Sequence, residues 1–254
     1  ENFNKISNIK TAAVIGSQTD CESIILLKDL FNYFGSDKLL CSQNNAIYKS
    51  IPRVAYTFNS GISGIEDSDL CLLIGTNPRK EAAVLNTRIR KRYLQGEYPI
   101  FSIGPKFDST YSCKFLKDDP SVLIDTLNKK NLLAKKLIKA KKPMIILSDN
   151  IFSRKDSETI LYYINELCKK FKIIKKENNN IVWNGLNCLH YEASRVGALD
   201  LKFYSSKEKF NLDKLYSLSK NKNLDLVYLL GVDKIDVSKL KNSFVIYQGH
   251  HGNF

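Results

Sequence analysis

Short apolar runs alternate with longer segments of helical spacing along this chain. Apolar runs that are hydrophobic on both faces are typical of buried strands, and apolar residues three or four apart are typical of helices that bury one face. The predicted strands are residues 11–16, 69–75, 99–104, 143–147, 172–175, 224–231 and 243–247. The predicted helices are residues 20–34, 80–94, 121–127, 156–171, 187–199 and 208–220. This alternation predicts an α/β fold whose parallel sheets are covered by helices on both faces.

The predicted elements form two series, and the second restarts at Pro143. We therefore predict two doubly wound, Rossmann-like lobes, with residues 1–142 as the first lobe and its connecting helices and residues 143–254 as the second. Just before the boundary, leucines and an isoleucine interleave with lysines, which predicts an amphipathic helix with a solvated basic face. The lysines are Lys129, Lys130, Lys135, Lys136, Lys139, Lys141 and Lys142.

Composition narrows the possible classes of function only in part. The formal net charge of +13 fits nucleic acid, an anionic membrane surface or an acidic protein as a neighbour, and does not choose among them. No apolar run approaches the roughly 20 residues that a membrane-spanning helix needs. The six cysteines form no CxxC pair, so we predict separate reduced thiols, with Cys71 and Cys168 packed in apolar surroundings.

The segment Gly75-Thr76-Asn77-Pro78-Arg79 follows a predicted buried strand and precedes a predicted helix. Backbone amides in such a turn, together with the helix N-terminus, can hold a phosphate at the edge of a sheet. The alternative is an ordinary strand-to-helix turn, in which Gly75 relieves steric demand, Asn77 caps the helix and Pro78 occupies its first turn. The residues alone favour the ordinary turn and leave the phosphate site open.

Two further groups of charged residues are not expected to bind a ligand or to act as catalysts. Arg88 and Arg92 lie four residues apart on one helical face, which favours an interface or internal ion pairs. Glu66, Asp67 and Asp69 precede a strand, where capping or solvation is more common than paired acid and base chemistry.

The histidines do not indicate a metal site. His250 and His251 lie on a loop without spaced ligand partners, so a loop or packing role is favoured over metal binding. His190 is predicted to lie on an apolar helix, buried with a satisfied hydrogen bond. The sequence contains no GxSxG, Walker A, GxGxxG or HExxH motif. We therefore expect neither catalytic residues nor metal ligands.

Five blocks of sequence carry a resemblance to a known family. They are IEDSDLCLLIGTNPRKEAAVLNTRIRKRYLQG at residues 65–96, KAKKPMIILSDN at 139–150, ALDL at 198–201, VYLLGVDK at 227–234 and FVIYQGHHGN at 244–253. In this order and separation they resemble the carboxy-terminal, molybdopterin-oxidoreductase-like domain of the largest iron-sulfur subunit of respiratory complex I, the 75 kDa type. The resemblance extends over nearly the whole chain.

The resemblance implies a lost cofactor site. In molybdopterin oxidoreductases such as formate dehydrogenase, a GxNP turn helps to hold the guanine dinucleotide of the cofactor, and it matches Gly75, Thr76, Asn77 and Pro78 here. In complex I this cofactor is generally absent, so the turn is expected to be vestigial and the chain to bind no cofactor. FMN and iron-sulfur clusters are then expected on partner chains. The family's amino-terminal cluster domain has no counterpart here, and the family continues past residue 252. We therefore expect a fold incomplete at both ends, from a split subunit or a partial chain, in permanent association with partners.

Three hypotheses follow. The first is a structural, non-redox part of NADH:ubiquinone oxidoreductase in the peripheral arm on the matrix side of the mitochondrial inner membrane, beside the NADH-oxidising module and the chain that carries the iron-sulfur domain. The second is a fragment of a molybdopterin-dependent oxidoreductase, completed in trans, that binds the cofactor through Gly75 to Pro78 and the loop at residues 248–252. The third, a nucleic-acid-binding module, is disfavoured because aromatic residues do not interleave with the basic cluster.

Overall fold

The computed structural model describes residues 10–249. Its strands are β1 (Thr11–Ile15), β2 (Leu39–Leu40), β3 (Leu70–Ile74), β4 (Ile100–Ile103), β5 (Lys114–Phe115), β6 (Pro143–Ser148), β7 (Ile174–Glu177), β8 (Asn180–Asn184), β9 (Leu186–Leu189), β10 (Leu226–Leu230) and β11 (Phe244–Gln248). Its α-helices are α1 (Cys21–Tyr33), α2 (Arg53–Tyr56), α3 (Gly64–Asp67), α4 (Pro78–Glu81), α5 (Ala83–Leu94), α6 (Ser121–Leu127), α7 (Leu132–Lys139), α8 (Ser157–Lys170), α9 (Arg195–Asp200) and α10 (Leu212–Lys220). Short 3₁₀ turns cover Asp149–Ser153 and Val237–Leu240. The α/β architecture with parallel sheets is confirmed.

The chain divides into two compact units, and unit 1 is built from two segments of the sequence that flank unit 2. Among the described residues, unit 1 comprises residues 10–51 and 192–249, and unit 2 comprises Pro52–Tyr191. The predicted boundary between residues 142 and 143 differs from this division. β6, which begins at Pro143, pairs with β3 in unit 2, and β1 pairs with β10 in unit 1. The restart of the hydrophobic pattern at Pro143 therefore marks the next strand of the same sheet.

Unit 1 contains a parallel sheet in the order β11-β10-β1-β2. All five residues of β1 are buried, as expected for a strand covered on both faces. The N-terminus of α1 is capped by Asp20, whose Oδ1 accepts a hydrogen bond from the Ser23 amide at 2.7 Å. One face of the sheet packs on α10 through an apolar cluster. Its buried members are Ala12, Val14, Leu40, Phe210, Leu215, Leu224, Val227, Leu229, Val232 and Leu240.

Unit 2 contains a parallel sheet in the order β5-β4-β3-β6-β9. Its two central strands, β3 and β6, are buried at every position. One core cluster lies around them and includes the single tryptophan of the chain. Its buried members are Ile65, Cys71, Leu73, Leu85, Ile89, Tyr98, Ile100, Tyr111, Met144, Ile146 and Trp183.

Two predicted elements that lie wholly within unit 2 differ from the structure. The helix predicted at residues 80–94 is interrupted at Ala82, whose φ of −151° and ψ of 70° are not helical. The strand predicted at residues 172–175 corresponds to β7, which forms an antiparallel hairpin with β8 instead of joining the parallel sheet. Asn178 and Asn179, both at positive φ, make the turn of this hairpin.

The helix predicted at residues 187–199 begins instead as strand β9, and a helix forms only at Arg195–Asp200 in unit 1. The amide of Asn187 is fully buried, and its Oδ1 accepts hydrogen bonds from the amide and the hydroxyl of Ser60 at 2.9 and 3.1 Å. Ser60 and Asn187 are 127 residues apart in sequence. Their contacts favour a strand here, although the local spacing of apolar residues is typical of a helix.

Candidate functional site

The candidate site lies at the carboxyl ends of the strands of unit 2. The chain runs from β3 to β4 and β5 on one side, whereas β6 and β9 lie on the other side of β3. In open α/β sheets, ligands bind outside the carboxyl ends of the strands where the strand order reverses, which here is between β3 and β6. The turn at Gly75 to Pro78 follows β3 at this position.

Gly75 has the backbone conformation that such a turn requires. Its φ is +64°, a left-handed conformation that other residues adopt at a cost. Its amide donates a hydrogen bond to the carbonyl oxygen of Ile103 at 2.9 Å. Gly104 approaches it closely, since a Cβ at Gly104 would lie 3.3 Å from the Gly75 Cα. Pro78 occupies the first turn of α4, as the sequence predicts.

The donors of this turn already have a partner, the carboxylate of Glu81. The Asn77 amide donates to Glu81 Oε1 at 2.9 Å, and the Thr76 hydroxyl donates to Glu81 Oε2 at 2.7 Å. Asn77 occupies the N-cap position of α4, as in the ordinary turn, but its side chain makes no capping hydrogen bond. Sequence reasoning missed Glu81. The sequence signal for Glu81 is an acidic residue in the first turn of a helix, because its carboxylate can reach back to the amide of the N-cap residue.

Little space remains beside the turn. A cavity of about 170 Å³ adjoins it, below the roughly 300–1,000 Å³ of small-molecule sites. Its lining is Gly75, Thr76, Asn77, Glu81, Ser102, Ile103, Gly104, Pro105, Lys106 and Phe107. The cavity can hold water or a small group.

A buried aspartate and histidine lie at the ends of the neighbouring strands. Asp149 follows β6 and His190 follows β9, and 3.5 Å separate Asp149 Oδ2 from His190 Nδ1. His190 Nε2 lies 2.6 Å from the carbonyl oxygen of Tyr56. Since a carbonyl can only accept, Nε2 carries the proton. The predicted burial and hydrogen bond of His190 are confirmed, and its predicted helix is wrong.

The cysteines of the chain are free thiols, as predicted. Burial raises the pKa of Cys71, Cys113 and Cys168 to about 12. Burial also raises the pKa of Cys188, with a further contribution from the Asp149 and Glu81 carboxylates, and that of Cys41. These five thiols are therefore protonated near neutral pH, whereas nucleophiles and metal ligands are thiolates. Among residues 10–249, no group of three or more His, Cys, Asp or Glu side chains is placed to hold a metal ion.

The charged residues around α5 form internal contacts. Arg88 Nη1 and Glu66 Oε1 are 2.9 Å apart, and the Arg92 Nε donates to the Ser68 carbonyl oxygen at 2.9 Å. The Arg92 guanidinium also lies 4.7 Å from the centre of the Tyr98 ring. The prediction of internal ion pairs is confirmed for Arg88. Because Arg88 and Arg92 both have partners within the chain, this pair of arginines is not free to bind a ligand.

The carboxyl ends of the strands of unit 1 border a larger crevice, of about 560 Å³. It contains the acidic side chains Asp20 and Asp233, and it ends at Gln248 and Gly249. Carboxylates at this position disfavour a phosphate group. His250, His251 and Gly252 lie outside the described residues, so the structure does not test the loop proposed for them.

No helix between residues 10 and 249 is both long enough and apolar enough to cross a lipid bilayer.

Comparison with known proteins places the sequence in a defined group. A family model described as molybdopterin oxidoreductase matches residues 2–253. The chain is 39% identical to the NADH-ubiquinone oxidoreductase 75 kDa subunit of Reclinomonas americana over all of this chain and 38% of that protein. It is 41% identical to the 78 kDa mitochondrial subunit of Candida albicans, and 35% identical to an NADH-quinone oxidoreductase subunit of Rickettsia bellii. These two matches cover 99% and 98% of this chain, but only 33% and 35% of the relatives. The chain therefore spans about a third of the length of the curated relatives it matches.

Proposed function

Because this chain belongs to the molybdopterin oxidoreductase family and its relatives are subunits of NADH-quinone and NADH-ubiquinone oxidoreductases, we propose that it is a structural, non-redox part of respiratory complex I. Its place is the peripheral arm on the matrix side of the mitochondrial inner membrane. Its neighbours are the chain with the iron-sulfur domain and the NADH-oxidising module, and those chains carry the FMN and the clusters.

The contact of Glu81 with the turn is the observation that carries this proposal. If this turn held a phosphate group of a guanine dinucleotide, the amide of Asn77 and the hydroxyl of Thr76 would be its donors. Both donors are bound by the chain's own carboxylate, whose negative charge would repel a phosphate. With a neighbouring cavity of only about 170 Å³, the residues of this turn do not fit the family's cofactor.

The arrangement of the thiols supports the non-redox part of the proposal. The six thiols are distributed over both units, and among residues 10–249 no group of three or more His, Cys, Asp or Glu side chains is placed to hold a metal. Binding of an iron-sulfur cluster needs several thiolates that converge on one point. Electron transfer is therefore assigned to partner chains.

Exposed apolar side chains on unit 1 support a permanent place in an assembly. Leu26 and Tyr33 on α1 and Phe244 on β11 are each more than two-thirds exposed. Within the described residues, β11 is an edge strand that pairs only with β10. Open sheet edges and clustered apolar side chains are sites of association in soluble proteins.

Purification of the assembly tests the proposal. The tagged full chain is recovered under mild detergent, and the eluate is analysed by mass spectrometry and by elemental analysis. We expect flavin- and iron-sulfur-bearing subunits of complex I in fixed proportion to this chain, without molybdenum or tungsten. The second candidate is a molybdopterin enzyme fragment completed in trans. Stoichiometric molybdenum without complex I subunits would establish that candidate.

Replacing Glu81 with alanine is expected to lower the free energy of unfolding by about 1–3 kcal/mol, because the Asn77 amide and the Thr76 hydroxyl lose their acceptor. An anion can then take its place, so inorganic phosphate should restore part of the loss in this variant. The measurement is urea denaturation, with and without phosphate, followed by the fluorescence of Trp183 in the same unit.

The matched control is Glu177→Ala, which removes an exposed carboxylate of unit 2. It should change stability by no more than about 0.5 kcal/mol and respond to phosphate as the unaltered chain does. The role assigned to Glu81 would be wrong if phosphate stabilised the unaltered chain as much as the Glu81→Ala variant.

A further inference from the structure

The positive charge of the chain is concentrated in unit 2. Residues 52–191 contain 24 Lys and Arg against 14 Asp and Glu, which gives +10 of the total +13. An excess of this size attracts anionic partners at long range, and the shape of the surface determines which kind can bind. One surface of unit 2 combines this charge with a groove that is lined in part by a leucine and two tyrosines.

The lysine groove lies between α6 and α8. It has a volume of about 450 Å³ and is lined by Leu127, Tyr162, Tyr163, Glu166, Lys169 and Lys170. Lys170 Nζ donates to the carbonyl oxygen of Leu127 at 2.5 Å, which joins the C-terminus of α6 to α8. Lys129 and Lys130, both exposed, follow Leu127 in the turn that leads to α7.

The charges of the groove are unbalanced. Glu166 is its one acidic residue, and its Oε1 is already 2.8 Å from Lys169 Nζ. Lys170 in the groove, and Lys129 and Lys130 in the turn after Leu127, add positive charge that the paired Glu166 does not balance. An excess of exposed lysines favours a partner with carboxylates at matching positions.

The apolar part of the groove favours a side chain as its occupant. Tyr162 is 60% exposed, and its ring meets the Tyr163 ring edge to face, with the centroids 5.4 Å apart. Tyrosine at the surface of a pocket is typical of contacts that anchor a partner. The edge-to-face pair does not offer two parallel rings to consecutive bases, and the Glu166 carboxylate repels a phosphate backbone.

We propose that the lysine groove is a docking site for an acidic segment of a partner protein, with one large apolar side chain against Tyr162 and Leu127 and carboxylates on Lys129, Lys130 and Lys170. The charge of unit 2 directs the encounter, and the groove selects a peptide over other polyanions. This surface is separate from the turn at Gly75 to Pro78, and its role does not depend on which assembly the chain joins.

Binding of a defined probe to the purified full chain tests the proposal. The probe is a short fluorescein-labelled peptide in which glutamates flank a single phenylalanine, and fluorescence anisotropy reports its binding. We expect saturable binding that weakens as salt is raised. Charge reversal in Lys129→Glu/Lys130→Glu should weaken it on the order of tenfold, and Tyr162→Ala by about fivefold.

The matched control is Lys220→Glu/Lys222→Glu, which reverses two exposed lysines of unit 1 and should leave the affinity unchanged. Circular dichroism confirms that each variant is folded. The proposal is overturned if the peptide does not bind, or if it binds the Lys129→Glu/Lys130→Glu variant as tightly as the unaltered chain. It is also overturned if a single-stranded oligonucleotide, or phosphatidylcholine vesicles that contain cardiolipin, bind through these lysines and displace the peptide.

Discussion

Replacing Arg195 with methionine is expected to lower the free energy of unfolding by about 3–5 kcal/mol. Arg195 is fully buried in unit 1, where its Nη2 is paired with Glu192 Oε2 and its guanidinium lies 5.2 Å from the centre of the Tyr48 ring. The variant leaves the Glu192 carboxylate in a buried site without its counter-charge. Urea denaturation of the full chain, followed by circular dichroism, measures the change.

An exposed pair of the same spacing provides the control. Lys239 Nζ lies 3.7 Å from Asp236 Oδ2 and 5.1 Å from the centre of the Tyr216 ring, but both charged side chains are about half exposed. Lys239→Met should therefore cost no more than about 1 kcal/mol. The double variant Glu192→Gln/Arg195→Met should recover part of the loss, because the unpaired charge is gone. Equal losses for Arg195→Met and Lys239→Met would contradict the importance of burial.

Replacing Gly16 with alanine is expected to lower stability by about 3 kcal/mol, which corresponds to a fall in Tm of about 6–12 °C for a chain of this size. Gly16 follows β1, and its amide donates to the Leu230 carbonyl oxygen at 2.8 Å. A Cβ at this position would lie 1.7 Å from the carbonyl oxygen of Gly231, so β1 and β10 would have to separate at their carboxyl ends. Differential scanning calorimetry measures the shift.

Gly35→Ala is the control in the same unit. No atom lies within 4 Å of a Cβ built there, but the residue has a φ of +73°. This variant should cost only about 1 kcal/mol of backbone strain. If both substitutions had the same effect, the close approach of the two strands at Gly16 would not be the cause of the loss.

The candidate site was only partly predictable. Gly75 and Pro78 were placed correctly, because a buried strand that ends in glycine and is followed by proline has few other local conformations. The contact of Glu81 with Thr76 was not predicted. The contact requires α4 to end after its first turn, where the Glu81 carboxylate can reach back to Thr76. The spacing of residues alone does not show where the helix ends.

The segment that contains His190 shows why spacing misleads. Its apolar residues fit a helical period, yet β9 forms because the buried amide of Asn187 and the edge of β6 offer partners that a helix could not use. Tertiary contacts outweigh local propensity at such positions. The burial of His190 was still correctly predicted, since it depends on apolar surroundings and not on the type of element.

The amino-acid pattern was sufficient for the α/β class, most of the buried strands, the family and the turn at Gly75. It did not show that unit 1 is assembled from both ends of the chain, with Thr11 opposite Leu226, or that β3 and β6 lie side by side in unit 2. The reason is physical. Strands that are apolar on both faces present similar surfaces and the same backbone donors and acceptors, so their sequences do not specify which neighbour they take. The neighbour is selected by packing of the whole unit.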